Sequence, residues 1–126
     1  MIIGPKKSKS VQEFYFRRSL ETIKYAYSLI KNSEIAPYVN KLFVYGSCVK
    51  KEQRYDSDVD LFLELKDLSV IKQYRDLLIQ LRTLVNPIDL DLPSVDLKIV
   101  IGDSWQHSDN IYFKNIRREG VNIWKA

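Results

Sequence analysis

The 126-residue chain contains a single cysteine, Cys48, and a single histidine, His107. One cysteine excludes an intrachain disulfide, and the two residues together cannot build a cysteine- or histidine-based zinc site. Four glycines and four prolines are too few for a low-complexity or collagen-like chain. No apolar run is long enough to span a bilayer. The amino-terminal MIIGPKKSKS has no apolar stretch behind its lysines, so it does not read as a signal peptide. The simplest reading is a cytoplasmic protein with no membrane partner. A net charge of +4 favours an anionic substrate or partner, yet it is too small to imply nucleic acid as a direct substrate.

The length predicts one domain over 1–126, with an N-terminal helix over 1–36 ahead of a core over 42–126. Ser10 and Glu13 form a capping-box pattern, followed by Phe16, Leu20, Ile23, Tyr27 and Ile30 at helical steps. An apolar strand over 42–45 stops at Gly46, and the polar stretch 47–57 has room for one or two helical turns. Residues 58–65 alternate: Val59, Leu61, Leu63 and Leu65 share one face, and Asp58, Asp60, Phe62 and Glu64 the other. Asp67 or Ser69 is expected to cap a second helix, with Leu68, Ile71, Leu78, Leu81 and Val85 as its stripe and Asn86-Pro87 as its stop. A third strand over 95–101 carries Asp96 and Lys98 on its polar face. Ser108 is expected to cap a last helix, and Gly120 to end it in a left-handed conformation before a short terminal strand. This order predicts an α/β fold in which helices pack on one face of a small mixed sheet.

An apolar strand that only packs has no reason to open with two carboxylates on one side. Asp58 and Asp60 point the same way, and Asp96 opens another strand of the same pattern. If these strands are neighbours, the three carboxylates form a cluster that is costly without a cation. Oxygen-only ligands select Mg²⁺ or Mn²⁺, and two such ions would serve a phosphoryl displacement. Gly46-Ser47 supplies a complement, because a glycine lets backbone approach a ligand and a serine can cap a helix whose N-terminus faces phosphate.

Gly46-Ser47, ten intervening residues and Asp58-Val59-Asp60 resemble the G-S-x10-D-x-D signature of the minimal nucleotidyltransferases, within the polymerase-beta-like superfamily. SDVDLFLEL is similar to the family's S-D-[IV]-D-L strand, SVDLKIVIG places Asp96 where its third carboxylate is expected, and IRREGVNIW resembles its C-terminal ending. The likeness covers 42 to the C-terminus, and Val49-Lys50-Lys51 departs from the small residue, arginine and glycine usual after Gly-Ser.

The resemblance implies the polymerase-beta-like fold and transfer of a nucleoside monophosphate, AMP from ATP above all, to an acceptor hydroxyl. Asp58, Asp60 and Asp96 would be the catalytic and metal-binding residues for two Mg²⁺ ions, with Asp96 helping to deprotonate the acceptor. Gly46, Ser47, Lys50 and Lys51 would bind the nucleotide. Lys50, Lys51 and Arg54 are either triphosphate contacts or solvated cations, and Lys98 is either an ion-pair partner of Asp96 or a substrate contact. Cys48 reads as a small spacer, His107 as a surface residue, and Tyr15, Tyr25 and Tyr27 as packing residues.

No segment of this sequence is left over for an acceptor domain, so the acceptor is expected on another chain. In the resembled family that chain is a helical HEPN toxin, with the nucleotidyltransferase as an MntA-type antitoxin. The alternatives are a degenerate module that masks its partner without chemistry, and a transferase acting on a small molecule. Self-association is open.

Overall fold

The computed structural model of the protein describes residues 4–46 and 58–125. The stretch 47–57, with its expected helical turns and with Ser47, Cys48, Lys50, Lys51 and Arg54, lies outside the described residues. Helix α1 (Gly4–Lys31) leads through a 3-10 turn (Ala36–Tyr38) into strand β1 (Val39–Tyr45). Strand β2 (Val59–Leu65), helix α2 (Ser69–Leu84) and strand β3 (Val95–Ile101) form a β-α-β unit. A second 3-10 turn (Ser104–His107), helix α3 (Ile111–Glu119) and strand β4 (Val121–Asn122) complete the chain. The four strands run in the order β3-β2-β1-β4. β2 and β3 are parallel, whereas β1 is antiparallel to both β2 and β4, so the sheet is mixed as the pattern predicts.

Period-two alternation sorts the strand residues between two layers. Leu42, Val44, Val59, Leu61, Leu63, Leu65, Val95 and Leu97 are buried on the face covered by α1 and α2, with Ala26, Ile30, Leu81 and Val85. The two long helices thus share one face, as expected from the sequence. The short α3 and the turn before it form a second layer with the opposite face, where Phe62, Trp105 and Ile116 pack with Phe43, Tyr112 and Phe113. Phe62 has its ring centroid 4.8 Å from that of Trp105 in an edge-on contact.

Several local expectations are corrected. α1 starts at Gly4, so Ser10 lies inside the helix and is not its cap; Pro5 in the first turn suits a helix start. In α2, Tyr74 is non-helical at φ −124° and ψ 29°, which shifts the phase of the first turns. Val70 is buried there, while Leu68 and Ile71 are exposed. The N-cap of α2 is Leu68, which makes no side-chain cap, so neither Asp67 nor Ser69 caps the helix. Asp67 Oδ1 instead accepts from Ser69 N at 2.9 Å in the turn that leads into it. Asn110, not Ser108, caps α3, its Oδ1 accepting from Tyr112 N at 2.8 Å. Gly120 is extended at φ −69° and not left-handed. Its glycine is required by crowding, since a Cβ there would lie 2.6 Å from the Ile116 carbonyl oxygen.

On the α3 side of β2, Glu64 is fully buried. Trp105 Nε1 donates to its Oε1 at 2.5 Å, and Asn40 Nδ2 donates to its Oε2. Asn40 can reach because the β1–β2 register slips between Val39 and Lys41, where β1 carries an extra residue. Both carboxyl oxygens therefore have donors, which burial requires. Trp105→Phe keeps an aromatic ring but removes one donor. It should cost about 1–3 kcal/mol in denaturant unfolding, and a loss below about 0.5 kcal/mol would show that this hydrogen bond does not hold the aromatic layer.

Candidate active site

The parallel pairing of β2 with β3 decides which side chains meet. Asp60 lies opposite Asp96 in the register, at the leading ends of the two strands. Both belong to the α3-side face, at the end of it that the aromatic layer leaves open. Asp58 precedes β2 and is exposed. The register is held by two contacts at the mouth of β3. Val59 N donates to Ser94 O at 2.8 Å, and Val95 N donates to Asn86 Oδ1 at 2.7 Å. Asn86 also donates to Arg82 O at 2.9 Å, so the residue expected only to stop α2 fastens the end of that helix to the start of β3.

Asp60 is half-buried, and its pKa is raised to about 6, by burial first and then by the charges of Asp96 and Asp58, against a lowering by Lys98. Repulsion of this kind is what a bound cation relieves, and the donor set is all oxygen, which fits Mg²⁺ or Mn²⁺. Among the described residues no three side chains of histidine, cysteine, aspartate or glutamate are already gathered as a metal cage. Lys98 Nζ stands 3.8 Å from Asp96 Oδ1, so the ion-pair reading of Lys98 is present in the fold, with both side chains half-exposed.

Gly46 ends β1 next to this pair, at φ +78°, a left-handed conformation that favours glycine. A Cβ at Gly46 would come within 2.5 Å of Asp60 Oδ2. The close approach predicted at this glycine is therefore an approach of backbone to the Asp60 carboxylate. Ser47, Lys50 and Lys51, expected beside it, lie outside the described residues. His107 is exposed, as expected, and takes no part.

Two residues were not anticipated. Tyr45, opposite Asp60 in the β1–β2 register, and Tyr112 on α3 bring their hydroxyls to 2.5 Å. Burial first, then the Tyr112 hydrogen bond and the nearby carboxylates, push the Tyr45 phenol well above its ordinary pKa. Burial likewise raises Tyr112, against a lowering by its bond to Tyr45. Both remain protonated donors beside the carboxylates. Strand alternation signals Tyr45, since it shares the face of Asp60; nothing local signals Tyr112.

These contacts make two outcomes measurable. Without divalent cation at about pH 7.5, Asp60→Asn should raise Tm by about 2–4 °C, a figure reduced for solvent screening. The folded pKa of Asp60 lies above the unfolded one, so the penalty is complete above about 6 and absent below 3.8. The mutant's advantage should shrink over that interval as pH falls, and a constant advantage would refute the assignment. Gly46→Ala should cost about 1–2 kcal/mol for its left-handed backbone and displace the Asp60 carboxylate. Unchanged binding of Mn²⁺ with nucleotide, measured by calorimetry, would show that Asp60 need not stay where it is.

The family described as Polymerase beta, Nucleotidyltransferase matches residues 21–125. No match was found among curated proteins. Among solved structures, a candidate nucleotidyltransferase from Sulfolobus solfataricus is similar over 99% of this chain and 93% of its own, at 16% identity and a TM-score of 0.50. A toxin–antitoxin structure with AMP-PNP covers 88% of this chain and 73% of its own, at 12% identity and a TM-score of 0.43. The family match spans most of the sequence, including both aspartate-bearing strands and Gly46, and the Sulfolobus structure shares the fold: the chain belongs to the polymerase-beta nucleotidyltransferase family.

Proposed function

We propose that the protein moves a nucleoside monophosphate, AMP from ATP, to a hydroxyl group of a helical partner protein of the HEPN type, and acts as its antitoxin. The observation that carries the transferase reading is the register that opposes Asp60 to Asp96, with Gly46 backbone closed against the Asp60 carboxylate. Asp58, Asp60 and Asp96 would hold the Mg²⁺ ions. Once bound, such ions supply charge neutralisation for the triphosphate and polarise the reacting phosphoryl group.

The chain's own contribution is positioning and proton handling. The acceptor oxygen bonds to the α-phosphorus while the bond to the β-phosphate oxygen breaks, and pyrophosphate leaves. Asp96, the more exposed of the opposed pair, takes the acceptor's proton. Lys98 beside it offsets one negative charge where the acceptor enters. Gly46 would meet the triphosphate, and the G-S-x10-D-x-D likeness assigns Ser47, Lys50 and Lys51 to binding it as well. Tyr45 and Tyr112 stay neutral and can donate without adding to the negative field. The partner assignment rests on the likeness of the G-S-x10-D-x-D stretch to antitoxins of this class.

The test is co-expression with a helical partner protein encoded beside this one, followed by intact mass and partner activity. Wild type should add one nucleotide to the partner and silence it. Asp96→Asn keeps shape but removes the base, so transfer should fall by about 100-fold or more. If the partner gains no mass and Asp96→Asn silences it as well as wild type does, the protein acts by masking.

A further inference from the structure

β3 is the outer strand of the sheet, and no described strand pairs with its free side. Ser94 O accepts from β2, and Gly102 N donates to Leu65 O at 2.7 Å. Backbone direction alternates along a strand, so Leu97, Ile99 and Ile101 turn their N–H and C=O groups outward. Such an edge is ordinarily guarded by proline, a bulge or inward-pointing charges. Over 97–101 there is no proline, and Lys98 is the only charged residue.

A cavity lies along each face of this edge. One, of about 390 Å³, is formed with α2 by Ile71, Ile79, Ile99 and Ile101, with Arg75 and Arg82 at its margin. The other, of about 320 Å³, is formed with α3 by Phe62, Val100 and Phe113, with Lys98 and again Arg82. Ile79 is 63% exposed, which is high for an isoleucine beside a groove. Apolar and cationic side chains line both grooves, joined in the second by Asn110 and Tyr112, and no carboxylate lines either one.

We propose that the free edge of β3 is a docking site for an extended segment of a partner protein in which apolar and acidic residues alternate. The segment adds to the sheet through the outward backbone groups of Leu97, Ile99 and Ile101. Because alternate side chains take opposite faces, its acidic residues meet Arg75 and Arg82 in the α2-side groove and its apolar residues pack on Phe62, Val100 and Phe113 in the other. The margins choose the partner's charge: Arg75, Arg82 and Lys98 attract carboxylates. They also disfavour a second copy of this chain paired through the same strand, since each cation would then approach its own counterpart. The α3-side groove borders the carboxylate centre at Lys98, which pairs with Asp96, and at Tyr112. The α2-side groove with Arg75 and Arg82 is separate from it, so docking there holds whether or not the protein transfers a nucleotide.

Binding is tested without nucleotide, by fluorescence polarisation of a short labelled peptide alternating valine and aspartate. The control is the same peptide with lysine for aspartate. The acidic peptide should bind at least about tenfold more tightly than the basic one, and Arg75→Glu with Arg82→Glu should reverse that preference. Both arginines are exposed on α2, so the double variant should fold, which its melting curve checks. NMR hydrogen exchange should show the Ile99 and Ile101 amides slowed by the acidic peptide. Equal binding of the two peptides, no binding of either, or unchanged exchange at these amides would overturn the proposal. Protection of these amides without peptide in a dimer detected by sedimentation would overturn it too, by placing a second copy on the edge.

Discussion

The parallel pairing of β2 with β3 is the constraint on which the site depends. Among the described strands it is the one parallel pair, the others being antiparallel. Parallel neighbours cannot be joined by a tight turn, so α2 is the required crossover. The same pairing brings two strands into step at their leading ends, and each of those ends carries a carboxylate. Had β3 run antiparallel to β2, Asp96 would sit at the far end of the sheet from Asp60. The catalytic reading is thus a consequence of connection topology, expressed through one register.

The α3-side face has two ends with opposite physics. At one end Phe62, Trp105 and Ile116 exclude water, and a carboxyl group, Glu64, is tolerated because both its oxygens find donors. At the other, Asp60 and Asp96 oppose each other with Lys98 as a partial counter-charge, and the Asp60 carboxyl responds by holding its proton more tightly. Tyr45 and Tyr112 stand between the two regimes, each with an apolar ring in the aromatic layer and its hydroxyl bonded to the other's. A phenol suits that boundary better than a charged residue, because it donates without adding to the field.

Much of this was legible in the sequence. Strand alternation needs no tertiary knowledge, so the faces of Asp60 and Asp96 followed from period two, and the mixed-sheet class followed from the order of the elements. Contacts that depend on a second element did not. Ser108 and Asn110 are both good capping residues, and only the turn at 104–107 decides between them. Gly120 looked like a left-handed helix terminator, but its glycine is there because the Ile116 carbonyl leaves no space for a Cβ. The Tyr45–Tyr112 pair needs α3 to fold over the second face, which no local pattern announces. For Ser47, Lys50 and Lys51, the expectation from sequence stands alone.

The crossover also sets when in folding the centre can exist. Helix α1 and the β1–β2 pairing draw on different parts of the chain from Asp96, and a chain that has made only those has one flank of the site. The second flank arrives when α2 packs and Asn86 fastens the start of β3, a long loop closure that is slow compared with local helix formation. A ligand bridging Asp60 and Asp96 therefore has no target in a partly folded chain. It can only hold the closed state once that state has formed, so occupancy acts as a latch on the closure of β3 onto β2.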